Sequence, residues 1–170
     1  LHQLHRRQRQ MCIRDSAEFA WVLVVLPFIA ALIITFAGKS LPLKGAEIAL
    51  GTIGIIFIYS LALMYLHVTE GVANEFFINV GNIGQFDIEF GWVVDGLSIM
   101  MYFVVGLVAL LVFIYATNYM EGEIRYTFFF TSLTLFAGSM LVLVSSPTLI
   151  QILIGWELVG VCSYLLIGHY

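Results

Sequence analysis

Charge is scarce in this chain. Asp, Glu, Lys and Arg make up 11% of its 170 residues, where soluble domains hold about 25%. Hydrophobic residues make up 61%, and the mean hydropathy is +1.01. That balance excludes a water-soluble core, so length bounds the number of membrane spans and not the number of folding domains. Cysteine is also rare. Cys12 and Cys162 lie in unlike segments and form no metal-type or redox-type spacing; Cys162, inside an apolar run, reads as a small soft hydrophobe. Enzyme motifs are missing as well. There is no glycine-rich phosphate loop, no GxSxG elbow, no cysteine set for an iron–sulfur cluster and no His pair at metal or haem spacing. No metal-binding or cofactor-binding residue is therefore expected, and a chain without redox ligands does not itself carry electrons. No basic face exists beyond the first fourteen residues, so the net charge of −4 gives no argument for a nucleic-acid partner, and none is expected.

What is present is a series of long apolar runs behind a leading stretch that does not match them. Residues 1–16 hold four of the seven Lys and Arg residues (Arg6, Arg7, Arg9 and Arg14) with His2 and His5, and no apolar periodicity organises them. No small-residue cleavage site follows, and the stretch reads as a non-native leader joined to a truncated reading frame. Residues 17–170 carry five expected spans, near 19–37, 48–66, 97–117, 127–144 and 148–168. Four are uncharged and the fifth contains only Glu157. Hydrocarbon offers no water to free amides, so runs of this length are helices. Pro27 is expected to kink the first span, Gly51 and Gly54 to permit close helix contact in the second, and Pro147 to sit in the first turn of the fifth.

The connections carry the orientation signal. Lys39 and Lys44 flank the first and Arg125 lies in the third, whereas the second, from His67 to Gly96, has neither Lys nor Arg. The positive-inside rule puts the first and third inside and the amino terminus outside. The arginines of the leader then lie on the wrong side, in keeping with a foreign origin. Within the second connection, Phe76–Val80 and Phe86–Trp92 are separated by Gly81-Asn82-Ile83-Gly84, and Phe86, Ile88, Phe90 and Trp92 alternate with polar residues or glycine. A short β-hairpin over residues 74–92, lying on the outer helix ends, is expected. The fold class is thus an all-α polytopic integral membrane protein with about five transmembrane helices and a short β-hairpin in the second connection.

Glu157 is the most informative residue. Counted from Thr148 at ~1.5 Å per residue, it lies roughly 14 Å deep, near the bilayer midplane. A charged group there costs on the order of 2.5–3.5 kcal/mol on insertion scales. Such a group persists with a partner, a wet cavity or a function; the bland reading is a buried hydrogen bond that fixes packing. Hydrocarbon favours the neutral acid and a nearby cation favours the charged one, which together make a switchable proton site. No Lys lies in any of the five spans to supply that cation. Glu157 shares a helical face with Leu153, Gly160, Val161 and Tyr164. The Tyr164 hydroxyl is suited to bond a carboxyl or a water, and Gly160 to admit another helix. Asp95, where the third span begins, reads first as a helix N-cap and alternatively as the outer mouth of a proton path. His67 and His169 read as interfacial residues that titrate near physiological pH, and Trp92, Tyr119 and Tyr126 as an aromatic belt.

The segment Gly155-Trp156-Glu157-Leu158-Val159-Gly160-Val161-Cys162-Ser163-Tyr164-Leu165-Leu166-Ile167-Gly168 closely resembles the L subunit of proton-pumping NADH–quinone oxidoreductase, respiratory complex I. The resemblance extends through Asp95-Gly96-Leu97-Ser98 and Tyr115-Ala116-Thr117-Asn118-Tyr119-Met120, is strong from Trp92 to Tyr170, and is one of hydropathy and layout from Glu18 to Gly91. It implies the amino-terminal part of a longer antiporter-like subunit, with its amino terminus outside. It implies that Glu157 works with a lysine on a later helix. It also implies proton translocation coupled to electron transfer from NADH to quinone, with NADH, FMN, iron–sulfur clusters and quinone held by other subunits. The partners so implied are the other membrane subunits of the complex and the lipid bilayer, in a bacterial or mitochondrial inner membrane. Two alternatives stand beside it: a subunit of a multi-subunit cation/proton antiporter, in which Trp-Glu-Leu also recurs, and a non-transporting membrane scaffold.

Overall fold

The structure, a computed structural model, describes residues 20–70, 74–83 and 86–168. The expected leader at 1–16, Cys12, the first residue of the first expected span, residues 84–85 of the second connection and His169 lie outside the described residues. Each apolar run becomes a helix: α1 Trp21–Ala37, α2 Ala46–Glu70, α3 Gly96–Tyr119, α4 Tyr126–Ser145 and α5 Leu149–Ile167. Four of them, α2 to α5, are long and apolar enough to cross a membrane, and α1 is an apolar helix of 17 residues. Between α2 and α3 lie β1 Asn74–Ile83 and β2 Phe86–Val94, paired antiparallel.

The middle of the bundle is α4. It packs along both α1 and α5, while α2 packs along α3. Its small polar side chains do not require partners from other helices: Thr134 donates to the Phe130 carbonyl at 2.7 Å and Ser139 to the Leu135 carbonyl at 2.8 Å, within α4 itself. Back-bonding of this kind satisfies hydroxyls where water is absent. Phe113 of α3 and Phe130 of α4 meet edge-on in the core, with ring centroids 6.0 Å apart.

The close helix approaches use glycines other than those expected. A Cβ on Gly51 or Gly54 would meet nothing within 4 Å. By contrast, one on Gly138 would lie 3.2 Å from Pro27 of α1, and one on Gly155 would lie 3.1 Å from the Leu143 backbone. Gly106 of α3 comes as close to α2, where a Cβ would lie 3.3 Å from the Phe57 backbone, and a composition-level reading does not say which glycines face a neighbour. Pro147 also differs from expectation. It precedes the N-cap Thr148, whose hydroxyl accepts from the Gln151 amide at 3.4 Å, so α5 begins only at Leu149.

The hairpin is longer than expected. The Gly81-Asn82-Ile83 segment does not turn; it continues β1, with Ile83 paired to Phe86 and a bulge between Asn79 and Gly81. A bulge adds one residue to one strand and lets the ladder run on. Phe76 and Trp92 stack across the pair with centroids 4.6 Å apart.

Candidate functional site

Two separate groups of the expected site residues emerge. Glu157 lies eight residues into α5, roughly 12 Å along its axis. Its helix meets α4 at Gly155 and Cys162, both buried, with the Cys162 thiol 3.8 Å from the Ser139 hydroxyl. The opposite face carries Leu153, Glu157, Gly160, Val161 and Tyr164, and every one of these is exposed within the described residues. No hydrogen bond or ion pair reaches Glu157 from them, and none joins it to Tyr164, which lies two turns further along. A Cβ on Gly160 would meet nothing within 4 Å, so this face is open to a helix from outside the described residues.

The second group is at the hairpin end of the bundle. Asp95 is the N-cap of α3 and its carboxylate accepts from the Ser98 amide at 2.7 Å. That bond, helped by the Ser98 hydroxyl and weakly by the positive end of His67, holds the Asp95 carboxyl below the usual carboxylate range, while partial burial opposes the shift. His67 reaches over from the last turns of α2, close enough that a Cβ on Gly96 would stand 2.9 Å from its Nε2. The structure therefore brings His67 and Asp95 together and leaves Glu157 and Tyr164 apart from them. The Tyr102 hydroxyl, one and a half turns into α3, is fully buried and faces Ser145 without forming a hydrogen bond of good geometry.

One residue of this end is absent from the sequence reading. Gln151 is buried, and its carboxamide binds both backbone groups of Gly91 in β2. Thr148 donates to the Glu89 carbonyl at 3.2 Å beside it. The hairpin is thereby fixed to the first turn of the helix that carries Glu157. The available signal was an amide in a run otherwise apolar up to Glu157, which invites the question asked of Glu157: what satisfies it. Among the described residues, no three His, Cys, Asp or Glu side chains gather as a metal-ligand set.

Residues 81–130, which include β2, the Asp95 cap and all of α3, match the family model described as NADH-ubiquinone oxidoreductase (complex I), chain 5 N-terminus. The chain is also similar, over nearly its whole length, to NAD(P)H-quinone oxidoreductase subunit 5, organellar chromatophore 1, of Paulinella chromatophora: 35% identical over 93% of this chain and 25% of that protein. NAD(P)H-quinone oxidoreductase chain 5 of Synechocystis sp. is 38% identical over 90% of this chain and 24% of its own length. The chain belongs to the subunit 5 family. A chloroplastic subunit 5 from Chlorokybus atmophyticus is 37% identical over 90% of the chain. The chain spans about a quarter of the length of these curated relatives. Family and helices together make it part of a multi-pass membrane protein.

Proposed function

We propose that the complete protein is a membrane-arm subunit of a proton-translocating NADH–quinone oxidoreductase, and that Glu157 is a proton-carrying group within it. The observation that carries this reading is a lone carboxyl midway along an apolar helix, on a face that nothing among the described residues covers, in a chain of the subunit 5 family. In the proposed cycle, Glu157 takes up a proton and hands it on as a cation from a later part of the protein approaches and withdraws. Tyr164 on the same face serves as a hydrogen-bonding relay. His67 and Asp95, an imidazole beside a carboxylate, form the mouth at the hairpin end, where protons pass between water and the protein.

In this reading the hairpin end is outside, together with the amino terminus, because Lys44 and Arg125 mark the opposite end as the inner one. The orientation follows from the basic residues of the connections alone. Residues 17–170 form the amino-terminal part of the subunit, and 1–16 are a foreign leader. NADH, FMN, iron–sulfur clusters and quinone belong to other subunits, and the neighbouring membrane subunits are the partners, in a bacterial inner membrane or its organellar counterpart.

The test is purification of the full-length subunit, through an affinity tag, from its native membrane. It is expected to bring with it NADH:quinone oxidoreductase activity that acidifies one side of reconstituted vesicles. Exchange of a metal cation for protons, with no associated NADH oxidation, would overturn the proposal in favour of an antiporter. A complex with neither activity would leave a scaffold.

A further inference from the structure

Every residue of α5 that is buried lies on one stripe: Gln151, Gly155 and Cys162. At about 100° per residue the three fall within roughly 40° of one another, and Glu157 falls on the opposite side. The stripe therefore sets the direction in which Glu157 leaves the helix.

The three contacts differ in kind. Gly155 lets α5 come close to α4, since a Cβ there would stand 3.1 Å from the Leu143 backbone. Cys162 meets the Ser139 hydroxyl at 3.8 Å, a long and weak contact through sulfur. Gln151 makes two short, directed bonds, accepting from the N–H and donating to the C=O of Gly91 in β2. A carboxamide that bonds both groups of one residue does so at a single height and a single rotation.

Between helices bathed in lipid no hydrophobic force resists sliding. Packing at Gly155 and Cys162 sets the spacing of α5 from α4 and holds its axial position weakly; the bonds to Gly91 supply that hold. A slip of one residue along the screw of the helix carries Glu157 about 1.5 Å in depth and about 100° in direction. Proton hand-over needs heavy atoms about 2.6–3.2 Å apart, or one water between them, so such a slip breaks it.

We propose that Gln151 is a positioning residue for Glu157: its grip on Gly91 fixes the height and rotation of α5, and with them the place from which the carboxyl exchanges its proton. This role rests on the reading of Glu157 as a proton-carrying group.

The experiment uses the full-length protein in its complex, reconstituted in vesicles, and measures proton transfer together with the infrared carboxyl band of Glu157. In Q151M, of similar length and without the bonding groups, transfer should fall by about tenfold and the Glu157 band should move in frequency. Q151N keeps the carboxamide on an arm one methylene shorter, so both bonds close only if α5 moves. It should show the same two changes, and it decides the matter where Q151M fails to assemble. F76L removes the ring stacked on Trp92 and loosens the hairpin with the Gln151 bonds in place; its Glu157 band should stay at the wild-type frequency. Wild-type transfer with an unmoved band in the Gln151 variants would overturn the role. So would slowed transfer with an unmoved band, or a band moved as far by F76L, either of which would leave Gln151 a support of the hairpin only. Undiminished transfer in E157Q would instead sink the reading of Glu157 itself, and this role with it.

Discussion

The Gln151 carboxamide closes on both backbone groups of Gly91, accepting from its N–H at 2.9 Å and donating to its carbonyl at 2.8 Å. Gly91 stands opposite Phe77 in the hairpin, so its own N–H and C=O are taken up on the far edge of β2 by a side chain acting as a one-residue strand. Gln151 is six residues, or about 9 Å of helix, from Glu157. The hairpin contact and the Glu157 carboxyl are therefore carried on one helix, α5.

Replacing Gln151 by Leu leaves two buried backbone groups unpaired. At about 1–3 kcal/mol for each of the two stranded groups, Gln151→Leu should cost roughly 2–6 kcal/mol. Hydrogen exchange at Gly91 and proteolysis of the hairpin should both accelerate. Unchanged exchange at Gly91 would show that the two bonds do not hold the hairpin.

Gly91 cannot bear a side chain. A Cβ there would stand 2.0 Å from the Phe76 carbonyl oxygen, a backbone atom with no room to retreat. Gly91→Ala should break the pairing near Phe76 and Trp92 and unstack the two rings. Gly51→Ala, with nothing within 4 Å, is the matched control and should be tolerated. Tryptophan fluorescence, in a background with Trp21 and Trp156 replaced by Phe, reads the difference at Trp92 directly.

Asp95 makes a pH prediction. Its folded-state affinity for a proton is lowered, first by the Ser98 amide, so the charged form stabilises the fold. That contribution is fully present above the unfolded carboxyl value of about 3.9 and is lost as pH falls through the lower folded value. The stability gap between wild type and Asp95→Asn should therefore be flat from neutral pH down to about pH 5 and shrink below about pH 4. Asp95→Ala should lose about 1 kcal/mol at neutral pH through the missing cap. Thermal unfolding in detergent across this range is the measurement, and a gap that narrows on going from pH 4 to pH 7 would contradict it.

Much of the fold was legible because hydrocarbon leaves few choices. An uncharged run of some twenty residues has to close its own hydrogen bonds, and the alternation from Phe86 to Trp92 marked a strand. What was not legible depended on which face meets which neighbour. Gly51 and Gly138 look alike in the sequence, and only packing against Pro27 distinguishes them. The extent of β1 was hidden because Gly81 and Asn82 are turn formers that here follow a bulge. At the candidate site, Asp95 was readable as a cap from its place before an apolar run. Its proximity to His67 was not, since that depends on how α2 ends beside α3. Gln151 was passed over because its partner is a backbone 60 residues away.

Everything functional turns on whether Glu157 changes its protonation. Infrared difference spectroscopy of the full-length subunit within its complex measures this directly, with the carboxyl band assigned by its loss in Glu157→Gln. The variant itself should slow proton transfer through this subunit by about a hundredfold or more. In the wild type, the protonated-carboxyl band should appear and disappear as NADH-driven turnover starts and stops. A band of constant intensity through turnover, or proton transfer undiminished in Glu157→Gln, would contradict the account.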